Sequence, residues 1–167
     1  MIRGQSLVEV IVALAVVVAL AISLVTTSLL TQRTSRSASS NTLATKLVQE
    51  NIEQVRIFRD RVGFASLANN ACWVLVATDA DPSKWYLSNA TSYSPTPNPL
   101  PPSHTACPET KTLGQTNFTR EINILDGTDP AKQKKIIVKV KWTDAAGAQM
   151  VTNDTVLSNC VSSTTSC

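Results

Sequence analysis

The chain has 167 residues and a net charge of +3, and 43% of it is hydrophobic, an average that hides two different materials. Up to Gln32 about two thirds of the positions are hydrophobic, against little more than a third beyond it, and all the aromatics lie between Phe58 and Trp142. This excludes one uniformly soluble globule and, with no second apolar run of comparable length, a polytopic membrane protein; the mild charge, still +3 over residues 33–167, singles out no partner.

From Val10 to Gln32 no residue is charged; Glu9 and Arg33 bracket the gap. As a helix rising about 1.5 Å per residue, such a stretch reaches roughly 35 Å, enough to cross a hydrocarbon core of about 30 Å. It is apolar on every side, so it spans a membrane or packs among like helices. A cleaved secretory signal fits poorly, because Ala19-Leu20-Ala21 lies inside the run with no polar exit. Glu9 is out of place in a plain anchor, since an unpaired carboxylate at the start of an intramembrane helix is costly.

The residues ahead of the run, Met1-Ile2-Arg3-Gly4-Gln5-Ser6-Leu7-Val8-Glu9, resemble the signature of type IV prepilins and type II secretion pseudopilins. In that family a short basic leader ends in glycine and is removed by a membrane-embedded prepilin peptidase, and a glutamate stands fifth after the cut. The resemblance implies a leader 1–4, cleavage between Gly4 and Gln5, and Glu9 as the fifth mature residue. It departs from the family in one place: the usual first mature residue is an N-methylated phenylalanine, and here it is Gln5, which leaves methylation open. The physical reason for the spacing is direct. Stacked apolar helices bury their N-terminal ammonium groups, which need a counter-ion. A carboxylate one turn further along meets the terminus of an axially displaced neighbour more readily than its own. Glu9 is therefore expected to set the register of assembly rather than to catalyse.

Beyond the apolar residues 5–32, residues 31–42 are polar and rich in Ser and Thr, the weakest part of a continuous helix and the place for it to bend or melt. Residues 33–63 then show Ala44, Val48, Ile52, Val55, Phe58 and Val62 at intervals of three and four, with Leu47 beside them, the stripe of a helix lying on a domain. Arg56, Arg59 and Arg61 suit its carbonyl end, and Gly63 is a natural stop. A helix from Ser6 to Val62 would measure roughly 85 Å.

Residues 64–167 read as a β-rich domain. Strands are expected at Trp73–Ala77, at Lys84–Ser88, around Phe118, Ile122 and Ile124, and at Lys135–Thr143, where Ile136, Val138, Val140 and Trp142 share one face. Arg120 falls on the apolar parity of its strand, and Ile137 breaks the polar face of the next. Asp126–Pro130 reads as a turn, Asp144-Ala145-Ala146-Gly147 as a hairpin, and Gln149–Leu157 as the return strand of an antiparallel meander with one face toward the helix. Six prolines in 92–108 predict an exposed extended loop. The fold class expected is thus α+β, a long N-terminal helix on a small antiparallel sheet, which is also the type IV pilin-like arrangement. The "VxVxW" strand through Trp142 is similar to that of accessory (minor) pilins and of some type II pseudopilins.

Cys72, Cys107, Cys160 and Cys167 all follow the apolar segment; an even number without a CxxC pair favours disulfides over zinc and an oxidising compartment. Of the three pairings, Cys72–Cys107 with Cys160–Cys167 would staple the proline loop to the first strand and tie down the tail, and many pilins carry a similar C-terminal disulfide loop. Asp126, Asp129 and Asp144 are weak candidates for calcium, being ordinary turn residues. Lys132, Lys134, Lys135, Lys139 and Lys141 are candidates for weak contact with DNA phosphates or another surface, although lysines also line ordinary solvent faces and sheet edges. With no nucleophile–base pair, phosphate loop or carboxylate dyad, and His104 alone in the proline loop, neither enzymatic activity, metal nor cofactor is expected.

The resemblance implies a minor-pilin-like subunit with a single membrane pass before assembly, its C-terminal domain outside, and extracellular afterwards. Its partners would be other pilin subunits, the prepilin peptidase and an inner-membrane assembly platform. The alternatives are a type II secretion pseudopilin and a membrane-anchored extracellular binding domain that never polymerises.

Overall fold

A helix of 58 residues, α1 (Gln5–Val62), opens the computed structural model, which describes residues 5–97, 100–101 and 104–159. The chain falls into two compact units whose boundary lies between Ser39 and Ser40. The polar stretch expected to weaken the helix is helical throughout. At its start hydroxyls turn back onto the helix: Thr31 Oγ1 donates to the Thr27 carbonyl at 2.9 Å and Thr34 Oγ1 to the Leu30 carbonyl at 2.6 Å. At the far end α1 stops after Val62, where Gly63 takes φ 114°, a value that side chains disfavour, and donates its N–H to the Arg59 carbonyl at 3.0 Å.

The second unit is an antiparallel sheet of seven strands with the Ser40–Val62 part of α1 packed on one face. The strands are β1 (Asn70–Val76), β2 (Tyr86–Ser88), β3 (Tyr93–Ser94), β4 (Glu109–Leu113), β5 (Thr116–Asp126), β6 (Gln133–Asp144) and β7 (Gly147–Ser158). They run in the order β3-β2-β1-β5-β6-β7. β4 also pairs with β5, along Thr116–Arg120, while β1 takes the stretch around Ile122 and Ile124. The meander β5-β6-β7 was legible from alternation, and its hairpin closes as expected, with Asp144 opposite Gly147 and the Ala146 N–H held by Asp144 Oδ1 at 2.8 Å.

Two expectations need correction. The strand expected from Lys84 begins only at Tyr86, because Asp81 accepts the Ser83 N–H at 3.0 Å and winds Pro82–Lys84 into a 3-10 turn. The segment 92–108 is not wholly exposed loop, since Tyr93 and Ser94 form β3 against β2 and are half-buried. β4 was not anticipated; it hairpins into β5 through Gly114 (φ 62°), with Leu113 opposite Thr116.

The core is the helical stripe meeting the even-numbered face of the sheet. Ala44, Leu47, Val48, Ile52, Val55 and Phe58 are buried with Phe118, Ile122 and Ile124 of β5 and Ile136, Val138, Val140 and Trp142 of β6. Asn51 lies on the same stripe and is only 1% exposed.

Candidate functional site: the apolar helix and the sheet it serves

The N-terminal part of α1 is charge-free from Val10 to Gln32, with an 18-residue window of mean hydropathy 2.9 of which none is buried. Its large side chains stand open all round, from Leu7 at 62% exposure to Leu30 at 67%. A core helix of a soluble domain would be covered by its own chain. This one is long and apolar enough to cross a membrane, and an anchor is one role that its length and composition allow. Its threonine hydroxyls turn back onto the helix: Thr26 Oγ1 donates to the Ser23 carbonyl at 2.9 Å and Thr27 Oγ1 to the same carbonyl at 2.8 Å. No water is needed for them, which is the condition for polar groups in hydrocarbon.

Glu9 stands exposed at the head of this segment, and among the described residues no cation forms an ion pair with it. Gln5 is the first helical residue described, and its side chain lies outside the described residues together with Gly4. The proposed cleavage bond is therefore not part of the described geometry.

On β6 the odd-numbered Lys135, Lys139 and Lys141 lie on the face away from the helix, Lys132 precedes the strand and Lys134 has the parity of the helix side, and each of the five has a carboxylate partner. Lys135 lies 3.1 Å from Asp154, Lys139 and Lys141 share Glu121 at 3.5 and 3.6 Å, and Lys132 reaches Asp129 at 3.6 Å. Lys134 is 2.6 Å from Asp126. A phosphate backbone approaching this face would compete with carboxylates at every lysine, which lowers what it gains from contact. The aspartates weighed for calcium serve the turns instead: Asp129 Oδ1 accepts the Ala131 N–H at 3.2 Å, and Asp126 accepts from Asn69 and Lys134. Among the described residues no three His, Cys, Asp or Glu side chains gather as metal ligands. His104 is exposed, as expected, and its ring stacks on Tyr93 with centroids 3.9 Å apart, while Tyr86 meets Tyr93 edge-on at 5.5 Å. Burial, with Tyr86 close by, holds the Tyr93 hydroxyl above the usual tyrosine range.

Cys72 and Cys107 form a disulfide across 35 residues, joining β1 to the segment before β4; Cys160 and Cys167 lie outside the described residues.

The feature that reading the sequence missed is a polar plug between helix and sheet. Arg120, the residue on the apolar parity of β5, pairs through Nε with Glu109 Oε2 of β4 and donates from Nη1 to Asn51 Oδ1 at 3.3 Å. Asn51 Nδ2 in turn donates to the Leu47 carbonyl at 2.6 Å. The signals were present in the parity of Arg120 and in Asn51 at stripe spacing; what was missing was the pairing of β4 with β5 that delivers Glu109. Arg120→Ala is expected to cost about 2–3 kcal/mol, because Glu109 and Asn51 lose a partner in a largely dry site. Water moderates the loss, since the Glu109 side chain is 30% exposed against 13% for Arg120. Urea unfolding followed by tryptophan fluorescence checks it, and a loss under about 0.5 kcal/mol would remove the plug from the account.

Comparisons with models of known protein families, with curated proteins and with solved structures return no match to this chain.

Proposed function

We propose that this chain is a structural subunit, of the minor-pilin kind, of a type IV pilus or related filament. The observation that carries the reading is the exposed, charge-free helix directly behind Glu9, preceded by Gly4-Gln5-Ser6-Leu7-Val8. A plain anchor has use for the apolar helix but none for the carboxylate at its head. A subunit that stacks its helices has use for both. In this reading the prepilin peptidase cuts after Gly4, and the helix holds the subunit in the inner membrane. The assembly platform then passes it into a filament whose core is made of such helices, with the sheet domain outside.

N-terminal sequencing of protein sheared from cells tests this. The expected result is a mature chain beginning at Gln5 and recovered in filaments, at low abundance for a minor subunit. A chain that keeps Met1 and stays in the membrane fraction would sink the proposal in favour of a simple anchor. A chain cut at Gln5 but absent from surface filaments, whose loss blocks protein secretion, would replace it with the pseudopilin reading.

A further inference from the structure

Three side chains from three separate segments close a triangle at one end of the sheet. Lys134 Nζ lies 2.8 Å from Asn69 Oδ1 and 2.6 Å from Asp126 Oδ1, and Asn69 Nδ2 donates to Asp126 Oδ2 at 2.6 Å. An amine thus touches a carboxamide, while one carboxylate touches both, a separate oxygen toward each nitrogen. We infer that Lys134 and Asn69 become joined by an intramolecular isopeptide bond, with Asp126 as the proton carrier.

The chemistry balances with solvent water as the only other participant, the carrier of one released proton. Asp126 Oδ1 takes a proton from Lys134 Nζ, and the freed amine attacks Cγ of Asn69, one bond from the oxygen it already meets. The adduct's nitrogen gives its second surplus proton to solvent water, the Cγ–Nδ2 bond breaks as the amide forms, and Asp126 supplies the proton with which Nδ2 leaves as ammonia, which solvent then protonates to ammonium. Nothing is oxidised or reduced, and the carboxylate ends as it began. Its hydrogen bonds, from Lys134 first and then Asn69, hold the Asp126 carboxyl below the usual carboxylate range. It therefore stands ionised beside the Lys134 ammonium, and taking the first proton is the uphill part of the reaction.

The scaffold supports the reaction. Asp126 and Lys134 are direct cross-strand partners on β5 and β6, and Asn69 precedes Asn70, which pairs with Ile124 of β5. Strand pairing fixes the backbones of Asp126 and Lys134, and Asn69 stands next to the paired Asn70, so the three side chains meet without a search. Lys134 is also the most sheltered lysine on β6, its side chain 15% exposed against 44% for Lys135, 30% for Lys139 and 50% for Lys141. A reaction that happens once per molecule tolerates a rate far below that of an enzyme. The product would tie the segment just after α1 to a central strand by a covalent bond, independent of the Cys72–Cys107 disulfide.

Mass spectrometry of the full chain in detergent, with disulfides reduced, tests this. The wild type is expected to fall short of its sequence mass by one ammonia, about 17 Da, and to give a tryptic peptide joining residues 69 and 134, uncut after Lys134. Cyclisation of an N-terminal Gln5 would lose the same mass, so the joined peptide is the deciding signal. Lys134→Arg, which keeps the cation beside Asp126 but removes the nucleophile, and Asn69→Ala are each expected to abolish that peptide, and Asp126→Ala to abolish it or slow its appearance at least tenfold. Separate, unmodified peptides for residues 69 and 134 in the wild type would overturn the proposal. A joined peptide that forms as fast in Asp126→Ala would overturn the role of Asp126.

Discussion

A subunit carrying Glu9→Ala is expected to reach the membrane in normal amounts and to be missing from sheared filaments. Insertion depends on the apolar residues that follow, and these are untouched; replacing a carboxylate by a methyl group eases entry into lipid. Assembly is different. Under the proposed function, cleavage leaves an ammonium at Gln5, and packing buries it among the apolar flanks of neighbouring helices. In such surroundings an unpaired charge costs several kcal/mol, enough to shift an equilibrium by two orders of magnitude or more. Glu9 is one turn along the same helix, too close in sequence to fold back with good geometry and well placed for the terminus of an adjacent subunit. Glu9→Gln, which keeps shape and loses charge, should fail in the same way. Comparing membrane and sheared fractions by immunoblot reads the result, and filaments holding Glu9→Ala at the wild-type level would end the counter-ion account.

Phe58→Ala is expected to destabilise the sheet domain by about 3–5 kcal/mol, a large part of the roughly 5–15 kcal/mol typical of a domain. Phe58 is fully buried in the core shared by the helix and the sheet. Its loss removes a large apolar surface and leaves a cavity that two rigid elements cannot collapse to fill. Ile57, the next residue back, is 39% exposed, and Ile57→Ala should change stability by less than about 1 kcal/mol. The pair of variants separates burial from helix propensity, which changes in the same favourable sense in both. Tryptophan fluorescence during urea unfolding is the readout, since Trp73 and Trp142 lie in this core and the apolar segment has no aromatic residue. Equal losses from both variants would mean that the packed face is misassigned.

The helix, its stripe and the meander were legible because each carries a period: three to four from Ala44 to Val62, two from Ile136 to Trp142. Local chemistry was equally legible where a turn needs a particular residue, as at Gly63 and Asp144. β4 escaped because Glu109-Thr110-Lys111-Thr112 presents no apolar alternation; it is held by backbone pairing with β5, which no periodicity reports. β3 escaped because its two residues lie among prolines and owe their place to β2. The polar plug and the Lys134 triangle escaped for a further reason. Asn51 and Arg120 are 69 residues apart, and Asn69 and Lys134 are 65 apart, so only the finished topology brings them together. The disulfide lies between these cases: three pairings were open, Cys72 with Cys107 was the one favoured for stapling the proline loop to the first strand, and the fold forms it.

The hydroxyls of Thr26, Thr27, Thr31 and Thr34, each turned back onto a carbonyl of its own helix, bear on where the driving force for assembly comes from. These threonines keep their hydrogen bonds when the helix trades lipid tails for the flanks of identical helices. Hydrocarbon is also as apolar as leucine, so the exchange gains almost nothing from the hydrophobic effect. For the proposed subunit, leaving the bilayer is close to a transfer between two equivalent solvents. What tips it must come from the close fit of one helix against another and from the charge at the head of the segment. The segment is a reversible passenger, and direction is imposed at its end.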